Sequence, residues 1–392
     1  MAGLHIPELI AALRTVLPER VAPYALHEPL FAGQEWRYVK ECIDTGWVSS
    51  AGEYVGVFEA SLVKHTGAAF AVAMVNGTSA LHMALLAVGV RPGDEVLVPA
   101  LTFVATANAV SFCGAVPHFV DSDAASLGVD VAKLAHYLSN SLARSGGGWV
   151  NPRTGRRISA MVAMHTFGHP VDLDPLAALC AEYAIPLIED AAESLGSYYK
   201  NRHSGCHGVI AALSFNGNKI VTTGGGGALI TGDQNLATRI RHLSTTAKLA
   251  HAWEFSHDEP GYNYRMPNIN AALGCAQMEQ LAGFVERKRR LAKRYEAALK
   301  AVSGVHFFVE PAYAKSNYWL NAIILDEPSM AARDDVLAQL HQIGILARPA
   351  WKLMNCLPMY GACPGMDLSC AQRLAASLVN LPSSVSLEPS HA

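Results

Sequence analysis

Short apolar runs alternate with helical periods through the middle of the chain. Residues 70–75 form an apolar run of strand length. The turn Asn76-Gly77-Thr78-Ser79 and an apolar helix over 80–88 follow it. Residues 95–98, 116–120, 160–165, 186–188, 213–215 and 228–231 continue the series of buried-strand candidates. Strands alternating with helices predict βαβ units and a largely parallel sheet covered on both faces, hence an α/β fold.

After about residue 275 the pattern changes. Residues 280–300 predict a charged amphipathic helix containing Arg287, Lys288, Arg289 and Arg290, a run that reads as a solvated helix face. A strand over 317–325 and a helix over 331–343 follow. The expected division is a large unit, residues 1–275, and a smaller C-terminal α+β unit, residues 276–392. The chain opens on a short amphipathic helix with Glu8 and Arg14, not on a signal-peptide pattern. The most apolar stretch, residues 71–90, is broken by Asn76-Gly77-Thr78-Ser79, so no membrane span is expected and the cytoplasm is the default location.

Composition narrows the function classes. A formal net charge of -3 gives no reason to expect nucleic acid or an anionic membrane as a partner. The eight cysteines are scattered without a CxxC pair, which points to a reducing compartment and not to a disulfide framework. No close Cys/His cluster is present, so no metal is expected.

In parallel sheets ligands gather beyond the carboxyl ends of the strands, and three polar clusters fall there. Asn76-Gly77-Thr78-Ser79 sits between strand and helix, where a glycine and free N–H groups suit a phosphate; a ligand-free N-cap turn has the same pattern. Asp190 and Glu193 follow another strand, with Ala191 and Ala192 leaving room for something flat. An acid there could hold a ring nitrogen protonated, or it could simply complement a helix N-terminus. The third cluster is Ser214-Phe215-Asn216-Gly217-Asn218-Lys219, followed by Thr222, Thr223 and Gly224 to Gly227. Lys219 is the single charged residue from 211 to 231; in low-polarity surroundings its amine becomes a nucleophile, whereas in a mobile glycine loop it is only a surface lysine. The GxxxxGK[ST] order of a P-loop is missing.

Phosphate turn, acid, SFxxxK and TTGxGG, in this order, resemble the DegT/StrS-type sugar aminotransferases, pyridoxal-phosphate-dependent transferases of fold type I. The resemblance covers nearly the whole chain. It includes Leu30-Phe31-Ala32-Gly33, Thr45-Gly46-Trp47-Val48-Ser49-Ser50, Pro99-Ala100-Leu101-Thr102-Phe103-Val104-Ala105-Thr106, His165-Thr166-Phe167-Gly168-His169-Pro170, Tyr262-Asn263-Tyr264-Arg265-Met266 and Arg348-Pro349. Gly46-Trp47-Val48-Ser49-Ser50 and Asn216-Gly217-Asn218-Lys219 look most like the branch acting at C4 of UDP-N-acetylhexosamine-derived 4-keto sugars, as in legionaminic-acid-type pathways. Gly225 departs from the family pattern, in which glutamate is frequent at this position.

The resemblance implies roles. Lys219 would hold pyridoxal 5'-phosphate as a Schiff base and shuttle a proton, with pyridoxamine 5'-phosphate as the intermediate form. Asp190 would pair with the pyridinium nitrogen, and Glu193, often Gln in the family, would lie near the phenolic oxygen. Gly77, Thr78 and Ser214 would hold the phosphate, Phe103 would stack on the ring, and Asn263 would reach the phosphate of a neighbouring subunit in a homodimer with shared sites. Trp47, His165 and Arg265 are the substrate-contact candidates, although His165 equally suits a satisfied core histidine and Arg265 an interface ion pair. The amino donor would be an amino acid such as L-glutamate, and the acceptor a UDP-2-acetamido-4-keto-2,6-dideoxyhexose. The alternatives are a dTDP- or GDP-linked 3-keto sugar, and a non-catalytic cofactor-binding regulator. Dehydratase relatives, which replace the Schiff-base lysine, are disfavoured by Lys219.

Overall fold

The computed structural model describes residues 4–19 and 23–389. Seven strands form the spine of the large unit: β1 (Phe70–Met74), β2 (Glu95–Pro99), β3 (Val116–Val120), β4 (Arg156–Met164), β5 (Leu187–Asp190), β6 (Ile210–Ser214) and β7 (Gly227–Thr231). Their order across the sheet is β1-β7-β6-β5-β4-β2-β3. β6 through β3 are parallel neighbours, while β7 runs antiparallel to both β1 and β6. All five residues of β2 are buried, as both faces of a helix-covered parallel sheet must be. Helices Gly77–Ala87, Val104–Phe112, Val131–Ser141 and Leu173–Glu182 supply that cover. Asn76 and Asp130 cap their helices by accepting from the N–H groups of Ser79 and Lys133.

The C-terminal unit is a four-stranded antiparallel sheet, β8 (Val305–Phe307), β9 (Asn321–Leu325), β10 (Arg348–Pro349) and β11 (Leu378–Leu381), ordered β8-β9-β11-β10. The expected boundary at residue 275 is crossed by the N-terminal helix Ile6–Val16. Its Leu9, Leu13 and Val16 are buried with Leu291, Tyr295 and Leu299 in the core of the C-terminal unit. Helix Leu281–Leu299, predicted as a solvated face, is partly that: Arg290 pairs with Glu286 and Glu388. Lys288, however, has no exposed surface, because segments 317–320 and 383–384 close over it. The predicted strand over 317–325 begins only at Asn321. Tyr318 takes a left-handed backbone (φ 47°), and the Asn317 side chain bonds the carbonyls of Glu193 and Leu195, both 2.9 Å away.

Among the described residues no helix is long and apolar enough to cross a membrane. The close approach of β7 to the turn after β1 depends on Gly227, where a Cβ would lie 2.4 Å from the carbonyl carbon of Asn76. Substituting Gly227→Ala should destabilise the protein by about 1–3 kcal/mol, the range for overpacking, read as a lower urea midpoint with unchanged slope.

Candidate active site

The carboxyl ends of β5 and β6, and of β1 through the turn that follows it, converge on a cavity of about 340 Å³, within the usual size for a small-molecule site. Its floor carries Asp190, Glu193 and Ser214; Gly77 and Thr78 begin the helix at one end. Lys219 enters from the loop after β6, Phe103 from the N-cap of helix Val104–Phe112, and Trp319 and Trp351 from the C-terminal unit.

Lys219 is held on two sides. Its Nζ lies 3.2 Å from Oε1 of Glu193 and 3.7 Å from the centre of the Trp319 ring. The Glu193 side chain is 2% exposed, and its Oε2 accepts the backbone N–H of Phe167 at 2.9 Å. Phe167 takes a left-handed backbone (φ 56°), which aims that N–H at the carboxylate; such conformations cost about 1–3 kcal/mol and cluster at functional sites. Burial pushes the Glu193 carboxyl up, and the Lys219 charge and the Phe167 N–H pull it partly back, leaving it at about 7. Glu193 can therefore hold or release a proton near neutrality.

Asp190 ends β5 facing the same space. Its Oδ2 accepts from the Thr106 hydroxyl at 2.7 Å and its Oδ1 from the N–H of Ala192 at 3.2 Å. Burial still raises its pKa above the ordinary value, so the site gains from a cation placed against it. At the opposite end Asn76 Oδ1 takes the N–H of Ser79 at 2.7 Å. The first N–H groups of a helix, here those of Gly77 and Thr78, have no acceptor within the helix and favour an anion. A Cβ on Gly77 would stand 3.0 Å from that of Ser214, so glycine lets the serine hydroxyl sit beside the helix end without displacement.

An anion-binding helix terminus, a buried acid, an amine and flanking aromatic rings fit a flat phosphorylated aldehyde with a basic ring nitrogen. The donor set suits pyridoxal phosphate.

The cavity thus brings together Gly77, Thr78, Phe103, Asp190, Glu193, Ser214 and Lys219. Four other candidates stand outside its lining. His165 is fully buried with Nε2 at 2.9 Å from Glu189 and Nδ1 accepting the N–H of Val171, which is the arrangement of a core histidine. Glu189 alternates with Asp190 along β5 and so points to the other face. Burial opposes its charge, but His165 and the N–H groups of Gly205 and Gly208 bring it down to about 2. Arg265 pairs with Glu59 at 2.8 Å, and Trp47 is exposed. Asn263 is exposed on the segment bridged to Thr245. Sequence reasoning missed Thr106, Trp319 and Trp351. The rarity of tryptophan, six in the chain, was the available signal for the last two.

Residues 31–392 match the DegT/DnrJ/EryC1/StrS aminotransferase family. The chain belongs to that family. A GDP-perosamine synthase of Caulobacter vibrioides is 36% identical over 92% of both chains. A UDP-4-amino-4-deoxy-L-arabinose–oxoglutarate aminotransferase of Shewanella sediminis is 33% identical over 82% of this chain and 81% of its own. The crystal structure of the aminotransferase TlmJ from Streptoalloteichus hindustanus superimposes with a TM-score of 0.82 at 30% identity, over 92% of this chain and 93% of its own. The protein is accordingly a pyridoxal-phosphate-dependent aminotransferase with the fold type I architecture. These relatives carry two different nucleotides in their names and do not single out the UDP-N-acetylhexosamine branch expected from the sequence.

Because Glu193 keeps a proton between about pH 4.5 and 7 that the unfolded chain has lost, its titration lowers stability as pH rises through that window. Urea unfolding of the apoprotein should show Glu193→Gln gaining stability relative to the parent from pH 4.5 to 7 and holding level above. Parallel profiles for the two proteins would refute this reading of Glu193.

Proposed function

We propose that this aminotransferase transfers the amino group of L-glutamate to the C4 carbonyl of a nucleotide-linked 4-keto-6-deoxy sugar, with UDP-2-acetamido-4-keto-2,6-dideoxyhexose as the preferred acceptor, making a 4-amino sugar for surface-glycan biosynthesis. The observation that carries the reading is the Lys219 amine, held between Glu193 and Trp319 in a cavity with an anion site at one end and Asp190 on its floor. The 4-amino product and oxoglutarate in one relative's name support the C4 position and the donor. The strings around Trp47 and Lys219 support the UDP-linked acceptor.

Each residue has a task that follows from its chemistry. Gly77 and Thr78 N–H groups and the Ser214 hydroxyl hold the cofactor phosphate. Asp190, oriented by Thr106, pairs with the ring nitrogen and keeps it protonated. When bound, pyridoxal phosphate supplies the carbonyl that takes up amines and the ring that withdraws electrons from the reacting carbon. Phe103, in the cavity lining, would offer its ring to one face of the cofactor. Glu193 holds a proton at the phenolic oxygen. Lys219 takes the proton from the amino-acid α-carbon, and in the second half-reaction delivers one to sugar C4. Trp319 and Trp351 exclude water from this transfer. Asn263, exposed and outside its own cavity, reaches the phosphate of a second copy in a homodimer, and Arg265 and Trp47 belong to the same shared edge.

Lys219→Ala should lower kcat by at least about 10²–10⁴-fold, the usual worth of a positioned proton-transfer group, and borohydride reduction should leave no pyridoxyl adduct on the variant. Product mass spectrometry with glutamate and a panel of UDP-, GDP- and dTDP-linked keto sugars tests the acceptor, and turnover of 3-keto sugars alone would overturn the C4 assignment. The shared site has its own test. Mixing the Lys219→Ala and Asn263→Ala chains should restore about a quarter of the parent activity, since half the dimers are mixed and one site in each is whole. No recovery would show that Asn263 does not act across subunits.

A further inference from the structure

Lys288 is the one member of the basic run 287–290 that the helix face does not explain. Its side chain has no exposed surface, and its Nζ donates to two backbone carbonyls, those of Trp319 at 3.1 Å and Ser383 at 2.5 Å. Burial drives its pKa well below that of an ordinary lysine, so the amine serves there chiefly as a hydrogen-bond donor. A buried amine has to be given acceptors that an apolar side chain of similar length does not need, so a purely filling role is poorly served by one.

What the amine holds is the back of the active-site wall. Trp319 is anchored at four points. Its carbonyl meets Lys288, its own N–H bonds Asn317 Oδ1 at 2.8 Å, its indole N–H donates to the carbonyl of Asn218 at 2.7 Å, and its ring face lies against Lys219 Nζ. Asn218 directly precedes Lys219, so the indole fixes both the backbone before the amine and the space beside it. The second carbonyl, of Ser383, belongs to a strap whose N–H bonds the carbonyl of Leu26, while the neighbouring Ser384 hydroxyl accepts the N–H of Glu28. The Lys288 amine therefore ties the Trp319 segment to the C-terminal strap and, through it, to the N-terminal segment.

From this geometry we propose that Lys288 is a positioning residue for the transamination: it sets the depth of Trp319, and through Trp319 the placement of the Lys219 amine. The proposal rests on the reading of Lys219 as the reactive amine. Lys288 touches neither cofactor nor substrate; its effect passes through one carbonyl and one indole ring.

The test compares Lys288→Met, which keeps the length and removes the donors, with Lys288→Gln, whose amide retains two N–H groups, and pairs Lys288→Met with Trp319→Leu in a double-mutant cycle. In the holoenzyme Lys288→Met should lower kcat about tenfold, the factor given by one hydrogen bond's worth of free energy, with KM for the amino donor little changed. Lys288→Gln should restore most of it, and Trp319→Leu should add little to Lys288→Met because both act on one wall. A second readout needs no turnover. Carbamylation of Lys219 by cyanate in the apoprotein, followed by peptide mass spectrometry, should change rate at least severalfold in Lys288→Met and recover in Lys288→Gln. Additive kcat losses, or an unchanged carbamylation rate in a folded Lys288→Met protein, would overturn the proposal. If Lys288→Met does not fold, the same two readouts on Lys288→Gln and Trp319→Leu decide it: parent-like behaviour of Trp319→Leu would refute it. Failure of the parent reading would show separately, as a Lys219→Ala protein that still turns over.

Discussion

The site turns on one largely buried pair, an amine against a carboxyl. Lys219 and Glu193 sit 3.2 Å apart under an indole ring, and their charges are screened less by solvent than a surface pair's would be. Burial favours the neutral form of Glu193, and the Lys219 charge and the Phe167 N–H offset part of that, leaving a carboxyl that ionises near 7. A carboxyl that ionises near neutrality can take up or give a proton at little cost, which suits acid–base work beside the amine. Its surroundings hold that pair in place: a left-handed Phe167 that aims its N–H at the carboxylate, and a wall built from Trp319 and Trp351.

That wall comes from a different part of the chain than the floor. Asp190, Glu193, Ser214 and Lys219 belong to the large sheet and its loops, while Trp319 and Trp351 come from the C-terminal unit. The seam is stitched by polar atoms: Asn317 onto the carbonyls of Glu193 and Leu195, and the Trp319 indole onto Asn218. A satisfied buried polar network fixes position more narrowly than apolar packing does, because each displaced partner is left unpaired. The two units are therefore registered to each other at the reacting groups themselves.

Local chemistry made much of the large sheet legible. Each strand predicted between residues 70 and 231 is present, because continuous apolar runs bounded by turn residues can be buried on both faces only in a helix-covered sheet. Asn76-Gly77-Thr78, Asp190 and Lys219 stood out for a related reason: polar residues at strand ends are conspicuous against those runs, and all line the cavity. His165 stood out equally and lies elsewhere, its ring spent on Glu189 and Val171. A strand shows one face to the cavity and the other away from it, and the choice for a residue at its edge depends on the turn that follows.

The sequence by itself determined the alternation of elements, the polar strand ends and the lone lysine, since these follow from periodicity and from the cost of burying charge. Only the tertiary structure decided which distant segments meet: the N-terminal helix in the C-terminal core, Lys288 inside a helix face that reads as solvated, Trp319 over the amine and Trp351 in the cavity lining. Those contacts join residues far apart in the chain, and no local propensity encodes them; they exist because closing the seam buries apolar surface and satisfies the carbonyls that the closure itself removes from water.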